Sequence, residues 1–162
     1  MSGDAAIPGS PVPPPLQLFG LLLHHDGRFT HDGAPISNRL LREHFNRSVE
    51  FLPDEGKYIV RLKHFRGQIE VEEAAFFVRA IDLVSGDIAL SDGSREVLDV
   101  STLSRSPIDG ALLCRIKREQ VAGGLSARFT HSTQAEFLQG VESAGDHYVV
   151  SIGARRIVCP EI

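Results

Sequence analysis

The sequence predicts an α+β protein of two structurally related halves, each a twisted, mainly antiparallel sheet with one short helix. Three observations predict it. First, the tetrapeptide Arg28-Phe-Thr-His31 recurs letter for letter as Arg128-Phe-Thr-His131. Second, each copy is followed by apolar residues at helical spacing: Leu40, Leu41 and Phe45 after one, Phe137, Leu138 and Val141 after the other. Third, each helix pattern leads through a glycine turn to a tyrosine-led strand, Gly56-Lys-Tyr58-Ile-Val-Arg-Leu62 and Gly145-Asp-His-Tyr148-Val-Val-Ser-Ile152. A last apolar strand follows each, Gln68 to Val71 and Arg156 to Cys159. A single recurrence at this wide separation marks a duplicated unit and not a solenoid array.

Composition is compatible with that architecture. The chain has 162 residues, 42% apolar and 23% charged, and a chain of this length buries roughly 68–70% of its unfolded surface without metals or disulfides. The formal net charge is −4, which argues against a nucleic-acid partner, whose usual footprint is a basic domain. No apolar run approaches the roughly 18 residues of a membrane span; Leu16 to Leu23 is interrupted by Gln17 and Gly20. The start of the chain, without basic residues or a long apolar stretch, predicts no secretory signal. Cys114 and Cys159 each lie in an apolar run, as buried thiols do in a reducing cytoplasm.

The elements follow in order. Residues 1–17, with Pro11-Val-Pro-Pro-Pro15 at their centre, predict a disordered proline-rich tail. The first repeat spans 18–84 and the second, packed on it, 85–162. Leu21 to His25 and Arg28 to His31 read as strands joined by a two-residue Asp26-Gly27 turn of type I′. Asp32-Gly-Ala-Pro35 is another turn, and the helix covers Asn38 to Asn46. Ser37 is its expected N-cap, Ile36 and Leu41 form a hydrophobic staple, and Leu40, Leu41 and Phe45 are its buried face. Beyond Pro53-Asp-Glu-Gly56 the period becomes two: Tyr58, Val60 and Leu62 alternate with Lys57, Ile59, Arg61 and Lys63. Strands are expected at Gln68 to Glu72, Phe76 to Val84, Ile88 to Leu90, Glu96 to Val100 and Ala111 to Lys117, with a turn at Asp92-Gly93.

The segments Asp26-Gly-Arg-Phe-Thr-His-Asp-Gly-Ala-Pro-Ile36, Gly56-Lys-Tyr-Ile-Val60, Ile69-Glu-Val-Glu-Glu-Ala-Ala75 and Gly124-Leu-Ser-Ala-Arg-Phe-Thr130, in this order, resemble the bacterial domain-of-unknown-function family 1285. The resemblance runs from about Leu18 to Ile162. It implies an α/β fold of two related halves, no established activity and a suggested role in signalling; it transfers no catalytic residue. The short proline-rich start departs from the family's usual pattern.

The candidate ligand-binding residues are Lys57, Arg61 and Lys63, which alternate onto one strand face, with Arg66 just past its end. Residues two apart on a strand are roughly 7 Å apart, a spacing that suits a phosphate or carboxylate. The second copy has His147, Val149 and Ser151 at the matching positions, so the fold itself does not need the basic ribbon. Histidines crowd the first unit, yet no His-x-x-x-His or Cys/His spacing points to a metal, and no cofactor motif is present. No Gly-x-Ser-x-Gly elbow or Walker loop occurs either. The expected function is therefore a non-enzymatic binding or regulatory module for a small anion or a protein partner. An open strand edge offers a route to a homodimer. The alternative is an enzyme whose site is assembled from His31, His44, His64 and Glu43.

Overall fold

A computed structural model describes residues 16–61, 63 and 66–162, without the side chains of Leu16, Gln17 and Phe19. Residues 1–15, Leu62, His64 and Phe65 lie outside this set. The expected proline-rich tail falls almost wholly among them, although Leu16 and Gln17 begin the first strand.

Among the described residues, fifteen strands form five antiparallel three-stranded meanders. The first comprises β1 (Leu16–Leu23), β2 (Phe29–His31) and β3 (Ala34–Pro35), and α1 (Arg39–Ser48) follows it. The second is β4 (Glu50–Leu52), β5 (Lys57–Arg61) and β6 (Arg66–Val71). The third is β7 (Phe76–Ile81), β8 (Asp87–Leu90) and β9 (Arg95–Val97). A single 3-10 turn, Val100–Thr102, leads to β10 (Ser104–Arg105), β11 (Leu112–Ile116) and β12 (Leu125–Phe129). Helix α2 (His131–Gln139) then leads to β13 (Val141–Ala144), β14 (His147–Ile152) and β15 (Arg155–Val158).

The protein is thus α+β with two related halves, each holding a meander–helix–meander unit. In the first unit, β1 and β6 pair in parallel and fuse both meanders into one sheet, ordered β3-β2-β1-β6-β5-β4. In the second, β12 pairs in parallel with β7, giving β10-β11-β12-β7-β8-β9 and leaving β13-β14-β15 as a separate small sheet. Strand β7, which the sequence reading put at the end of the first repeat, is hydrogen-bonded to β8 and β12. One apolar cluster, from Leu21 to Cys159, joins all three sheets. No helix among the described residues is long and apolar enough to cross a membrane.

The duplicated tetrapeptide marks a real packing equivalence. Phe29 and Phe129 are both buried, and each ring meets the helix that follows it: Phe29–Phe45 at 5.6 Å and Phe129–Phe137 at 5.7 Å between centroids. The flanking residues do not match. His31 sits in β2, paired with Leu21, whereas His131 is the first residue of α2, capped by Thr130. The two histidines therefore differ in setting, because α2 starts directly after its strand while a turn and β3 intervene before α1.

Three local expectations are corrected. The turn at Asp26-Gly27 is not type I′: Gly27 N–H donates to His24 O at 3.0 Å and only Gly27 has positive φ, a type I turn ending in a left-handed glycine. It therefore starts one residue earlier, at His24. The two-positive-φ geometry occurs instead at Asp32-Gly33. The cap of α1 is Asn38, whose Oδ1 accepts from Leu41 N–H at 3.1 Å, and not Ser37. The buried face of α1 is also different: Phe45 and Asn46 are buried, while Leu40 is 77% exposed and Leu41 39%. The step of about 100° per residue puts Leu40 about 140° round the helix from Phe45, so packing Phe45 inward leaves Leu40 in water.

Candidate functional site

The basic ribbon is only partly assembled. Lys57, Arg61 and Lys63 are exposed, but Ile59, on the same side of β5 as Lys57 and Arg61, is fully buried. The Arg61 guanidinium is also occupied, donating to both carboxylate oxygens of Glu50 across β4 at 2.7 and 3.1 Å. Arg66 begins β6, opposite Arg61. The histidine–glutamate set is likewise divided. His31 Nε2 lies 3.5 Å from Asp32, His44 Nε2 bonds Arg61 O at 3.2 Å, and Glu43 accepts from Arg39 at 3.1 Å; His64 is outside the described residues.

What the fold does assemble is a cleft of about 310 Å³ between the halves, near the lower end of the size range of small-molecule sites. One wall is α1, which presents Arg39, Arg42, Glu43 and Asn46. Their i, i+3, i+4, i+7 spacing puts them on a single helix face. The opposite wall is Phe77 and Arg79, which share a face of β7, together with Thr130, the cap of α2. Thr130 brings the positive end of that helix dipole to the cleft. The β1–β2 turn closes one end through Asp26 and Gly27. Helix α1 thus buries Phe45 and Asn46, while Leu40 and Arg39 face water and Glu43 is 42% exposed.

The charges of this cleft leave cations over. Asp26 is taken by Arg28, at 2.7 Å from its Nε; burial alone would raise the carboxyl's pKa, but the Arg28 backbone and guanidinium hydrogen bonds hold it below the usual range. Glu43 is taken by Arg39. Among the described residues, Arg42 and Arg79 have no carboxylate partner. The two buried side-chain polar atoms that lack a hydrogen bond in this set are Arg42 Nε and Asn46 Oδ1, and both residues line this cleft. An unsatisfied buried polar group costs about 1–3 kcal/mol. A wider groove between 94–99 and 115–120 has many charges too, but Arg118 pairs with Asp99, Lys117 with Asp92 at 2.9 Å, and Glu96 accepts from Lys117 N–H.

Beside the cleft, a polar network ties the halves together. His25 Nδ1 bonds Glu72, and His24 Nδ1 stands 3.4 Å from the same carboxylate. His25 Nε2 is 4.0 Å from Asp109. Arg128, 4% exposed, bonds Asp109 with one nitrogen and Glu73 with another at 3.1 Å, and Ser106 donates to Glu73 at 2.6 Å. The His25 hydrogen bond holds the Glu72 carboxyl below its ordinary value, and hydrogen bonds donated by Arg128 and by the Ala111 N–H bring Asp109 down to about 2. This network anchors both sides of the cleft, since Asp26 and Gly27 follow His25 and Thr130 lies two residues after Arg128. No group of three or more His, Cys, Asp or Glu among the described residues is placed to hold a metal ion. Both cysteines are free and buried, and burial pushes the Cys114 thiol up to about 12.

Sequence reasoning missed the cleft because it assigned the leucines of α1 to the core. The available signal was the polar stripe Arg39, Arg42, Glu43, Asn46 on a helix between two hydrophobic meanders.

No family model and no curated protein matches the chain. Solved structures do. The crystal structure of a DUF1285 family protein from Silicibacter pomeroyi DSS-3 superposes with a TM-score of 0.61 at 16% identity, covering 90% of this chain and 82% of that one. A DUF1285 family protein from Shewanella baltica OS155 gives 0.50 at 13% identity, covering 75% and 91%. The chain has a DUF1285-like fold.

Proposed function

We propose that this chain is a cytoplasmic, non-enzymatic binding module that holds a small anion in the cleft between α1 and β7. One observation carries the reading: Arg42 and Arg79 line one metabolite-sized cleft, and neither has a carboxylate partner among the described residues. A phosphate or carboxylate supplies what these donors lack, and planar guanidinium donors match either group well. The end of α2 at Thr130 adds a favourable field. Both halves build the walls, so occupancy stabilises their junction, which suits a regulatory role.

Calorimetric titration with orthophosphate and citrate tests this. The expected result is binding by the unaltered protein, lost in Arg42→Leu and Arg79→Ala and kept in Lys57→Ala/Arg61→Ala. Loss in the last variant would move the site to the β5 ribbon. No binding of either anion would end the reading.

A further inference from the structure

We infer that the open edge of β9 takes up an extended segment of a partner protein as an added strand, one that sets an acidic side chain opposite Arg95 and an apolar one opposite Val97. Strand β9 is last in its sheet, and its pairing with β8 fixes where its main chain points. Leu90 N–H donates to Ser94 O and Leu98 N–H to Gly86 O, both at 2.9 Å, so Ser94 and Leu98 bond inward to β8. In an antiparallel ladder the alternate residues turn their groups the other way. The N–H and C=O of Arg95 and of Val97 therefore face outward, and they have no hydrogen-bond partner among the described residues.

Arg95 and Val97 line one side of the groove of about 480 Å³ between 94–99 and 115–120. The facing edge, on β11, is already served by side chains. Past Leu113, beyond the reach of β10, Arg115 N–H donates to Thr102 Oγ1 at 3.0 Å and Lys117 N–H to the Glu96 carboxylate at 3.2 Å. One edge is covered and the other is bare, and a bare edge bonds an extended chain by strand addition. The side chains select the segment. Arg95 and Val97 are two apart and share a face of β9, and Val97 is 59% exposed. Arg95 has no carboxylate within ion-pair distance among the described residues; Asp82 acts on it only from farther away. Arg115 on the opposite wall lacks one too, whereas Arg118 has Asp99 and Lys117 has Asp92. Two such arginines against one carboxylate without a hydrogen bond or ion pair, Glu119, favour an acidic segment. Opposite charges and apolar pairs across neighbouring strands each stabilise pairing. Antiparallel addition, the more stable kind, then reads apolar–x–acidic along the partner chain.

Fluorescence anisotropy of a labelled, capped Thr-Val-Thr-Glu-Thr peptide tests this, with Thr-Val-Thr-Lys-Thr as the charge-reversed control. The expected result is about tenfold tighter binding of the acidic peptide, the scale of exchanging an attractive cross-strand pair for a repulsive one. Arg95→Glu should invert the order, which unspecific adhesion does not do. N-methylation of the acidic peptide at its valine and glutamate removes the donors that face β9 and should abolish binding. In the complex, hydrogen exchange should slow at the Arg95 and Val97 amides. Equal affinities for the two peptides, no binding of either at millimolar concentration, or unchanged exchange at those amides would overturn the inference. A dimer in sedimentation, with the same two amides protected before any peptide is added, would give the edge to a second copy of this chain and overturn it equally.

Discussion

Replacing Arg128 by methionine keeps most of the aliphatic bulk and removes the guanidinium. In the folded protein that group is 4% exposed, and the Glu73 side chain facing it is 9% exposed. The substitution leaves Glu73 buried with only the Ser106 hydroxyl as a named partner. Breaking one side of a buried ion pair costs about 3–5 kcal/mol, against a total stability of about 5–15 kcal/mol. At about 2–4 °C per kcal/mol for a chain of this size, the melting temperature should fall by about 6–20 °C. The same tetrapeptide supplies an internal control. Arg28 is 64% exposed and bonds Asp26 at the surface, so Arg28→Met should cost no more than about 1 kcal/mol. Urea and thermal unfolding of both variants measure the contrast, and Arg128→Met/Glu73→Gln should recover at least about 1 kcal/mol by removing the stranded charge. Equal losses for Arg28→Met and Arg128→Met, or an Arg128→Met protein within about 1 kcal/mol of the parent, would refute the assignment of Arg128 to a buried junction between the halves.

The remaining predictions concern acid sensitivity, backbone geometry and the surface ribbon. Asp109 is lowered from 3.8 to about 2 in the folded state, so its stabilisation is complete above 3.8 and is lost as pH falls through the lower value. Acid titration followed by circular dichroism should show stability falling between those two values, with a shallower fall in Asp109→Asn; superimposable curves would contradict this. Gly20 has φ +68, and a Cβ there would lie 1.9 Å from Asp32 Oδ1, so Gly20→Ala should be destabilised by more than about 1 kcal/mol in urea unfolding. Glu50→Ala frees Arg61 on an exposed strand, so stability should change by no more than about 1 kcal/mol. Its orthophosphate affinity should match the parent's in titration calorimetry, and tighter binding would return the site to the ribbon.

Several features were legible before any coordinates. The period of two at Lys57 to Arg61 became β5, the Asp-Gly pairs became turns, and the order strand, helix, strands held in both copies. These are local properties, governed by backbone dihedrals and by which residues can sit on a half-buried face. The histidines read differently. His24 and His25 were a crowded sequence feature without a partner, and their partners Glu72 and Asp109 are 47 and 84 residues away from His25 in the chain. Nothing in local spacing encodes contacts at that separation.

The amino-acid order alone determined that two similar units exist, because a buried phenylalanine ahead of a helix leaves the same trace twice. Tertiary structure decided which strands join across the units: β12 takes β7 as its parallel neighbour, while β6 takes β1. It also decided that α1 buries Asn46 beside Phe45 while Leu40 faces water. Main-chain hydrogen bonding between strands is nearly independent of side-chain identity, so sheet order is set by how whole layers bury apolar area together. The cleft, with two arginines that lack a carboxylate partner among the described residues, is a product of that assembly.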